Sequence, residues 1–231
     1  MLNPALVEPD ALTFAHGGAQ RFRSAIDRSD LRRIEKAITG LRPDQAGIRL
    51  HGVPLLEPIL LNSGRVGTVA AGVLGNDCRA VRAILFDKTP ATNWQLGWHQ
   101  DRTIAVVTRI DVDGFGPWTC KQGLVHVEPP FSALAGMSTL RVHLDPVSMM
   151  NAPLLIAPGS HRYGRIPQAD VARVVRECGT SACLADAGDV WLYATPILHA
   201  SDRAREPSHR RVLQVDYAIG ELPGGLQWRG I

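Results

Sequence analysis

Thr139-Leu-Arg-Val-His-Leu-Asp145 is the stretch whose reading decides the fold class. In an extended chain, residues two apart project to the same face. Leu140, Val142 and Leu144 therefore share one face, and Arg141, His143 and Asp145 the other. Such alternation is the mark of a strand in a sheet that packs against a core. Working outward, Val81-Arg-Ala-Ile-Leu-Phe86, Ile104 to Ile110, Leu154 to Ala157, Val190 to Tyr193 and Arg211 to Tyr217 carry the same character. Turn signals separate them, at Gly114 to Pro117, Pro129-Pro130, Pro158-Gly159 and Pro223-Gly-Gly225. Asp170 to Glu177 reads as one short helix among the strands.

The first third has a different period. Leu31, Ile34, Ala37, Ile38 and Leu41 recur at helical spacing, with Asp30 placed as an N-cap and Pro43 beyond the end. The apolar stretch from Leu55 to Gly75 predicts one or two further short helices. Together these readings give a mainly β domain with flanking helices, a jelly-roll barrel braced by N-terminal helices. A single domain over 1–231 is expected, with about 1–78 mainly helical and about 81–220 forming the barrel core.

Composition narrows the function classes. With 45% hydrophobic and 20% charged residues and a net charge of +3, the chain reads as an ordinary globular protein without the basic footprint of a nucleic-acid binder. No window reaches the roughly 18 to 20 apolar residues of a membrane span. The stretch Met1 to Asp10 has no basic region followed by an apolar core, so no secretory leader is expected. Cys78, Cys120, Cys178 and Cys183 form no C-x-x-C pair, which points away from structural zinc or a disulfide scaffold and toward the cytoplasm.

Trp98-His-Gln-Asp101 is the sharpest local signal. On a strand, His99 and Asp101 would face one ion together, and a histidine from a distant strand would complete a 2-His-1-carboxylate face. That set leaves adjacent positions open on iron(II) for dioxygen chemistry. His199, after the strand at Val190 to Tyr193 and before a polar loop, is the best candidate. Spacing alone does not separate His99/Asp101 from His143/Asp145. A lone His-x-Asp is more often a hydrogen-bonded polar pair than a ligand set. His16, His51, His126 and His209 read as solvated or structural, and His161 as a residue that stabilises its turn.

Several segments in order resemble the phytanoyl-CoA dioxygenase family of iron- and 2-oxoglutarate-dependent oxygenases, most of all its small bacterial branch. They are Leu85 to Pro90, Trp98 to Asp101, Arg141 to Asp145, Asn151 to Leu154, Pro158 to Arg162 with Gly164, His199 to Ser201, Arg210 to Leu213, and the closing Leu222 to Leu226. The resemblance implies Fe(II), 2-oxoglutarate and O2 as cofactor and co-substrates, acting on a small organic molecule. It assigns His99, Asp101 and His199 to the metal and leaves His143 and Asp145 as inward-facing barrel residues near Arg141. It places the arginine that grips the far carboxylate of 2-oxoglutarate at Arg210, with Arg211 one residue later. Alternation admits only one of the two, and a guanidinium fork suits a carboxylate. We favour Arg210.

Lys88 matches a lysine that assists the co-substrate; otherwise it is a solvated turn residue. Asn93, Trp94, Gln95 and Trp98 are candidate pocket walls, or plain core residues. Ala152 stands where the family pattern has glycine, so a positive φ there would be strained. Halogenating relatives carry a small residue in place of the ligand aspartate, so the resemblance, with Asp101 present, implies hydroxylation or desaturation. Two other functions remain: a cupin-type metalloenzyme that does not use 2-oxoglutarate, and a small-molecule-binding barrel without turnover.

Overall fold

The computed structural model describes residues 7–41 and 45–231, so Pro43 lies outside the described residues. Its centre is a six-stranded antiparallel sheet in the order β1 (Ala19–Phe22), β11 (Val190–Ala194), β8 (Ser138–His143), β13 (Arg211–Ala218), β3 (Arg79–Asp87) and β2 (Gly47–Leu50). A second sheet orders β10 (Ser181–Cys183), β9 (Leu154–Ile156), β12 (His199–Ser201) and β4 (Leu96–His99). A third orders β5 (Ile104–Val106), β7 (Leu124–Val127) and β6 (Trp118–Lys121).

Alternation divides the large sheet into two buried faces. Leu140, Val142, Val190, Leu192, Leu213 and Val215 meet Ile34, Ile38, Ile59, Val66 and Ala70. Those residues come from α2 (Arg28–Ile38), α3 (Glu57–Leu60) and α4 (Arg65–Leu74), so the helices cover the outer face. On the inner face Trp191 and Tyr193 pack against Leu154, Ile156 and Cys183 of the second sheet, which makes a jelly-roll-like sandwich. Short helices α1 (Phe14–Gly17), α5 (Phe131–Ala135) and α6 (Val171–Cys178) close the ends. Burying each large aliphatic side chain in these layers contributes about 1.5–3 kcal/mol.

Four expectations need correction. The first third holds two strands, β1 and β2, as well as helices; each is only four residues long and pairs at a sheet edge, too short for a periodic signal. The helix N-cap is Asp27, whose carboxylate accepts from the backbone N–H groups of Ser29 and Asp30, so Asp30 sits in the first turn. The strand from Ile104 stops at Val106. Asp145 faces outward: β8 ends at His143, and Asp145 accepts from the backbone N–H, Nε and Nη2 of Arg211.

Candidate metal centre and co-substrate pocket

The inner face of the large sheet is polar at its middle. Register sets Arg82 opposite Asp216, Ile84 opposite Gln214 and Arg141 opposite Gln214 from the other side. Arg82, Ile84, Arg141 and Gln214 line a cavity of about 240 Å³ together with Phe86, Trp94, His99, Asp101, His199 and Arg210.

His99 and His199 are direct cross-strand partners on β4 and β12, with ring centroids 4.3 Å apart. One ligand atom from each of His99, Asp101 and His199 lies within 4.8 Å of the others. His143 and Asp145, identical in spacing, part company: His143 is buried inside and Asp145 points outward. Strand alternation is not what unites His99 with Asp101, because β4 ends at His99. Gln100 does it instead. Its buried side chain donates to the Gly164 and Pro196 carbonyls and accepts from Ile166 N–H, which pins the loop and turns both neighbours to the cavity.

The donor set fits a transition metal. His99 Nδ1 sits 2.8 Å from the Gly97 carbonyl and His199 Nδ1 3.0 Å from the Ile197 carbonyl. With Nδ1 carrying the proton, each ring keeps the Nε2 lone pair for an ion. Burial pushes the His199 imidazole down to about 4, against the pull of Asp101, so it is neutral at pH 7. Burial would raise the Asp101 carboxyl, but Arg82, His199 and His99 outweigh it and hold the group below its ordinary value. Two imidazole nitrogens and one carboxylate suit Fe(II) and leave half an octahedron open.

Behind Asp101 lies an arrangement that the sequence reading missed. Arg82 Nη2 donates to Asp101 at 3.3 Å, its Nε to Asp216 at 2.5 Å and its Nη1 to the Thr103 carbonyl. Asp216 accepts in turn from Thr139 Oγ1 at 3.0 Å. Burial would lower the Arg82 guanidinium, yet Asp216 and Asp101 raise it, so it stays charged. A signal was present: Arg82 and Asp216 interrupt otherwise apolar strands with the same inward parity as Arg141.

The two arginines separate as alternation requires. Arg210 is 2% exposed and lines the cavity; its Nη1 donates to the Ala152 carbonyl and its Nε has no partner. Ala152 does take a positive φ, 48°, in the turn that presents that carbonyl. Burial and the nearby Arg141 push Arg210 down to about 9, against the smaller opposing pull of Asp87. Arg211 faces outward to Asp145 and Glu35, and its expectation as a co-substrate residue is corrected. Lys88 is neither solvated nor part of the cavity wall. Its Nζ donates to the Trp94 carbonyl, Ser201 Oγ and the Asp202 carbonyl, which uses all three N–H groups. Lys88 and Arg210 both lie against the Trp94 ring, at 4.6 and 5.8 Å from its centroid, so Lys88 positions this wall. Arg141 lines the cavity, donates to Gln214 and lies 5.3 Å from the Phe86 centroid.

A mainly antiparallel double sheet with a 2-His-1-carboxylate face and a buried arginine defines the class of non-haem metal oxygenases built on the jelly-roll scaffold. The family model for phytanoyl-CoA dioxygenase matches residues 63–212, and the chain belongs to that family. Its members are Fe(II)- and 2-oxoglutarate-dependent oxygenases, and this chain is one of them. No curated protein matches it in sequence.

Among solved structures, HygX from Streptomyces hygroscopicus, crystallised with nickel and 2-oxoglutarate, is similar at 16% identity and TM-score 0.61, over 90% of this chain and 87% of that one. EctD from S. alaskensis is similar at 17% identity and TM-score 0.66, over 94% and 78%. SnoN, an α-ketoglutarate-dependent epimerase from nogalamycin biosynthesis, matches at 14% identity and TM-score 0.62, over 90% and 79%. At these identities the likeness is one of fold. Among the described residues no helix is long and apolar enough to cross a membrane.

Proposed function

We propose that His99, Asp101 and His199 hold the iron, that Arg210 grips the C5 carboxylate of 2-oxoglutarate, and that the enzyme hydroxylates a C–H bond of a small organic substrate. The observation that carries this reading is Arg210: a guanidinium almost wholly buried beside the triad, with Nε unpaired and no carboxylate of the described residues against it. A buried cation is costly unless paired, so its site is prepared for an anion. Iron(II) bound there with 2-oxoglutarate and dioxygen supplies an oxidant able to take hydrogen from an unactivated C–H bond, releasing succinate and carbon dioxide.

The chain's own part is positioning and shielding. The Arg210 fork and the Ala152 carbonyl that holds it fix one end of the co-substrate, while Ile84, Phe86, Trp94 and Leu154 keep that end dry. Arg82 holds the Asp101 carboxylate from behind and prevents it from swinging off its ligand position. A metalloenzyme that does not use 2-oxoglutarate has no use for a buried carboxylate clamp, and a barrel without turnover has none for a complete His99, Asp101 and His199 set. A substrate of small-molecule size suits the cavity, and HygX itself has been crystallised with hygromycin B. The four cysteines are free, as a reducing cytoplasm allows.

Anaerobic addition of Fe(II) and then 2-oxoglutarate tests this reading. The visible charge-transfer band of the chelated co-substrate is expected in the wild-type protein and absent in Asp101→Ala. Its absence in folded, metal-loaded wild type refutes the proposal.

A further inference from the structure

Five cationic side chains line the cavity, Arg49, Arg82, Lys121, Arg141 and Arg210, against the single carboxylate of Asp101. Arg82 is paired with Asp216 and Asp101. Arg210 is assigned above to the co-substrate, and Arg141 donates to Gln214 beside it. Arg49 and Lys121 are left over. Among the described residues neither forms an ion pair; Arg49 Nε is buried without a partner, and Lys121 Nζ has only Thr103 Oγ1, at 3.1 Å.

The fold brings these two together deliberately. Arg49 lies on β2 opposite Ile84, a residue of the inner face. Lys121 ends β6, and the turn that follows, Gln122-Gly123, has positive φ at both residues (51° and 77°), the geometry of a tight two-residue hairpin. The Gln122 side chain then fastens this turn to β2. Its Oε1 accepts from Arg49 N–H at 2.9 Å, and its Nε2 donates to the Gly47 carbonyl at 2.7 Å. The hairpin is thereby docked on the edge of the large sheet, with Lys121 beside Arg49.

Partial burial and the like charge of Arg82 lower both groups, and Lys121 is lowered further by Arg49 itself. The one carboxylate that favours their charged forms is Asp101. Once Asp101 ligates a dication its charge is no longer available to them. The pair then lacks a compensating anion among the residues that line the cavity.

The geometry points to Arg49 and Lys121 as the anchor for an anionic oxygen group, carboxylate or phosphate, on the organic substrate. This rests on the oxygenase assignment above and gives it a substrate class: an organic anion whose charged end is held here while a neighbouring C–H group faces the triad. The cavity of about 240 Å³ is below the roughly 300–1,000 Å³ of drug-sized pockets, which suits a compact substrate. Two charge-assisted contacts from different strands would set its orientation.

Calorimetric titration of the anaerobic Fe(II)- and 2-oxoglutarate-saturated protein with acetate and with methyl phosphate, at low ionic strength, tests the inference. Saturating 2-oxoglutarate keeps Arg210 out of reach, and the charge-transfer band reports the oxygenase assignment separately. At least one anion is expected to bind saturably, with affinity reduced about tenfold or more in Arg49→Gln and in Lys121→Gln, a loss of about 1.4 kcal/mol. The arm that binds tighter distinguishes carboxylate from phosphate. The chelate band is expected to persist in both variants, which shows that they fold and load. No saturable binding of either anion, or wild-type affinity in both variants, overturns the inference while leaving the oxygenase assignment intact. Failure of the band in wild type overturns the assignment instead.

Discussion

Arg82→Met would isolate the charge network behind the metal site. The guanidinium is 7% exposed and Asp216 is 1% exposed. Removing it deletes the 2.5 Å contact to Asp216 and the 3.3 Å contact to Asp101, and leaves Asp216 with Thr139 as its side-chain donor. Breaking a buried ion pair from one side costs about 3–5 kcal/mol. That is a large share of the roughly 5–15 kcal/mol of an ordinary domain. The variant can limit the cost by protonation. Burial already raises the Asp216 carboxyl, Asp101 raises it further, and the opposing pull of Arg82 would be gone.

A carboxyl with a folded pKa above its unfolded value of about 3.9 stabilises the fold only while it keeps its proton. Stability of Arg82→Met should therefore fall as pH rises through the folded pKa, so the deficit against wild type is largest at neutral pH and shrinks in acid. Urea unfolding at a series of pH values reads this directly. Arg82→Met/Asp216→Asn removes both charges and should recover most of the loss, with a coupling of about 2–3 kcal/mol in the cycle. Metal titration of the single variant should show affinity reduced about 10–100-fold, because Asp101 loses the group that orients it. A deficit below about 1 kcal/mol, or additive single and double variants, would show that the pair is not the buried unit described.

Arg210→Met should weaken 2-oxoglutarate by about 1.5–3 kcal/mol, the worth of a charge-assisted hydrogen bond, whereas Arg211→Met should leave it unchanged; titration of the chelate band decides between them. His143 is buried with both ring nitrogens unpartnered, and burial with Arg141 and Arg210 pushes it down to about 3. Because an unfolded histidine titrates near about 6.5, wild type should lose about 1.4 kcal/mol per pH unit from this residue as pH falls below that value, and His143→Leu should remove that slope in urea unfolding. Ala152→Gly should raise stability by about 0.5–1 kcal/mol, since glycine carries no penalty at φ 48° but loses more freedom on folding; an unchanged or lowered unfolding midpoint would contradict the strain.

What the sequence made legible is what local periodicity encodes. β3, β8 and β13 each alternate over six residues or more with partners on both sides, so pattern and pairing agree. β4 and β12 have four and three residues, and β12 is extended because β4 and β9 flank it, which no local window contains. The choice between Arg210 and Arg211 likewise depends on register, and Asp145, turned outward, claims Arg211. The two His-x-Asp pairs make the point most clearly, since their spacing is identical. His143 lies opposite Val212, and its backbone N–H bonds to Asp189, so no second imidazole stands across from it. His99 lies opposite His199. A metal face requires donors from strands far apart in the chain, so the property that separates the two pairs is the neighbour across the sheet. The family resemblance points to the pair at His99 and Asp101 because it carries that pairing implicitly, in the ordered appearance of both motifs.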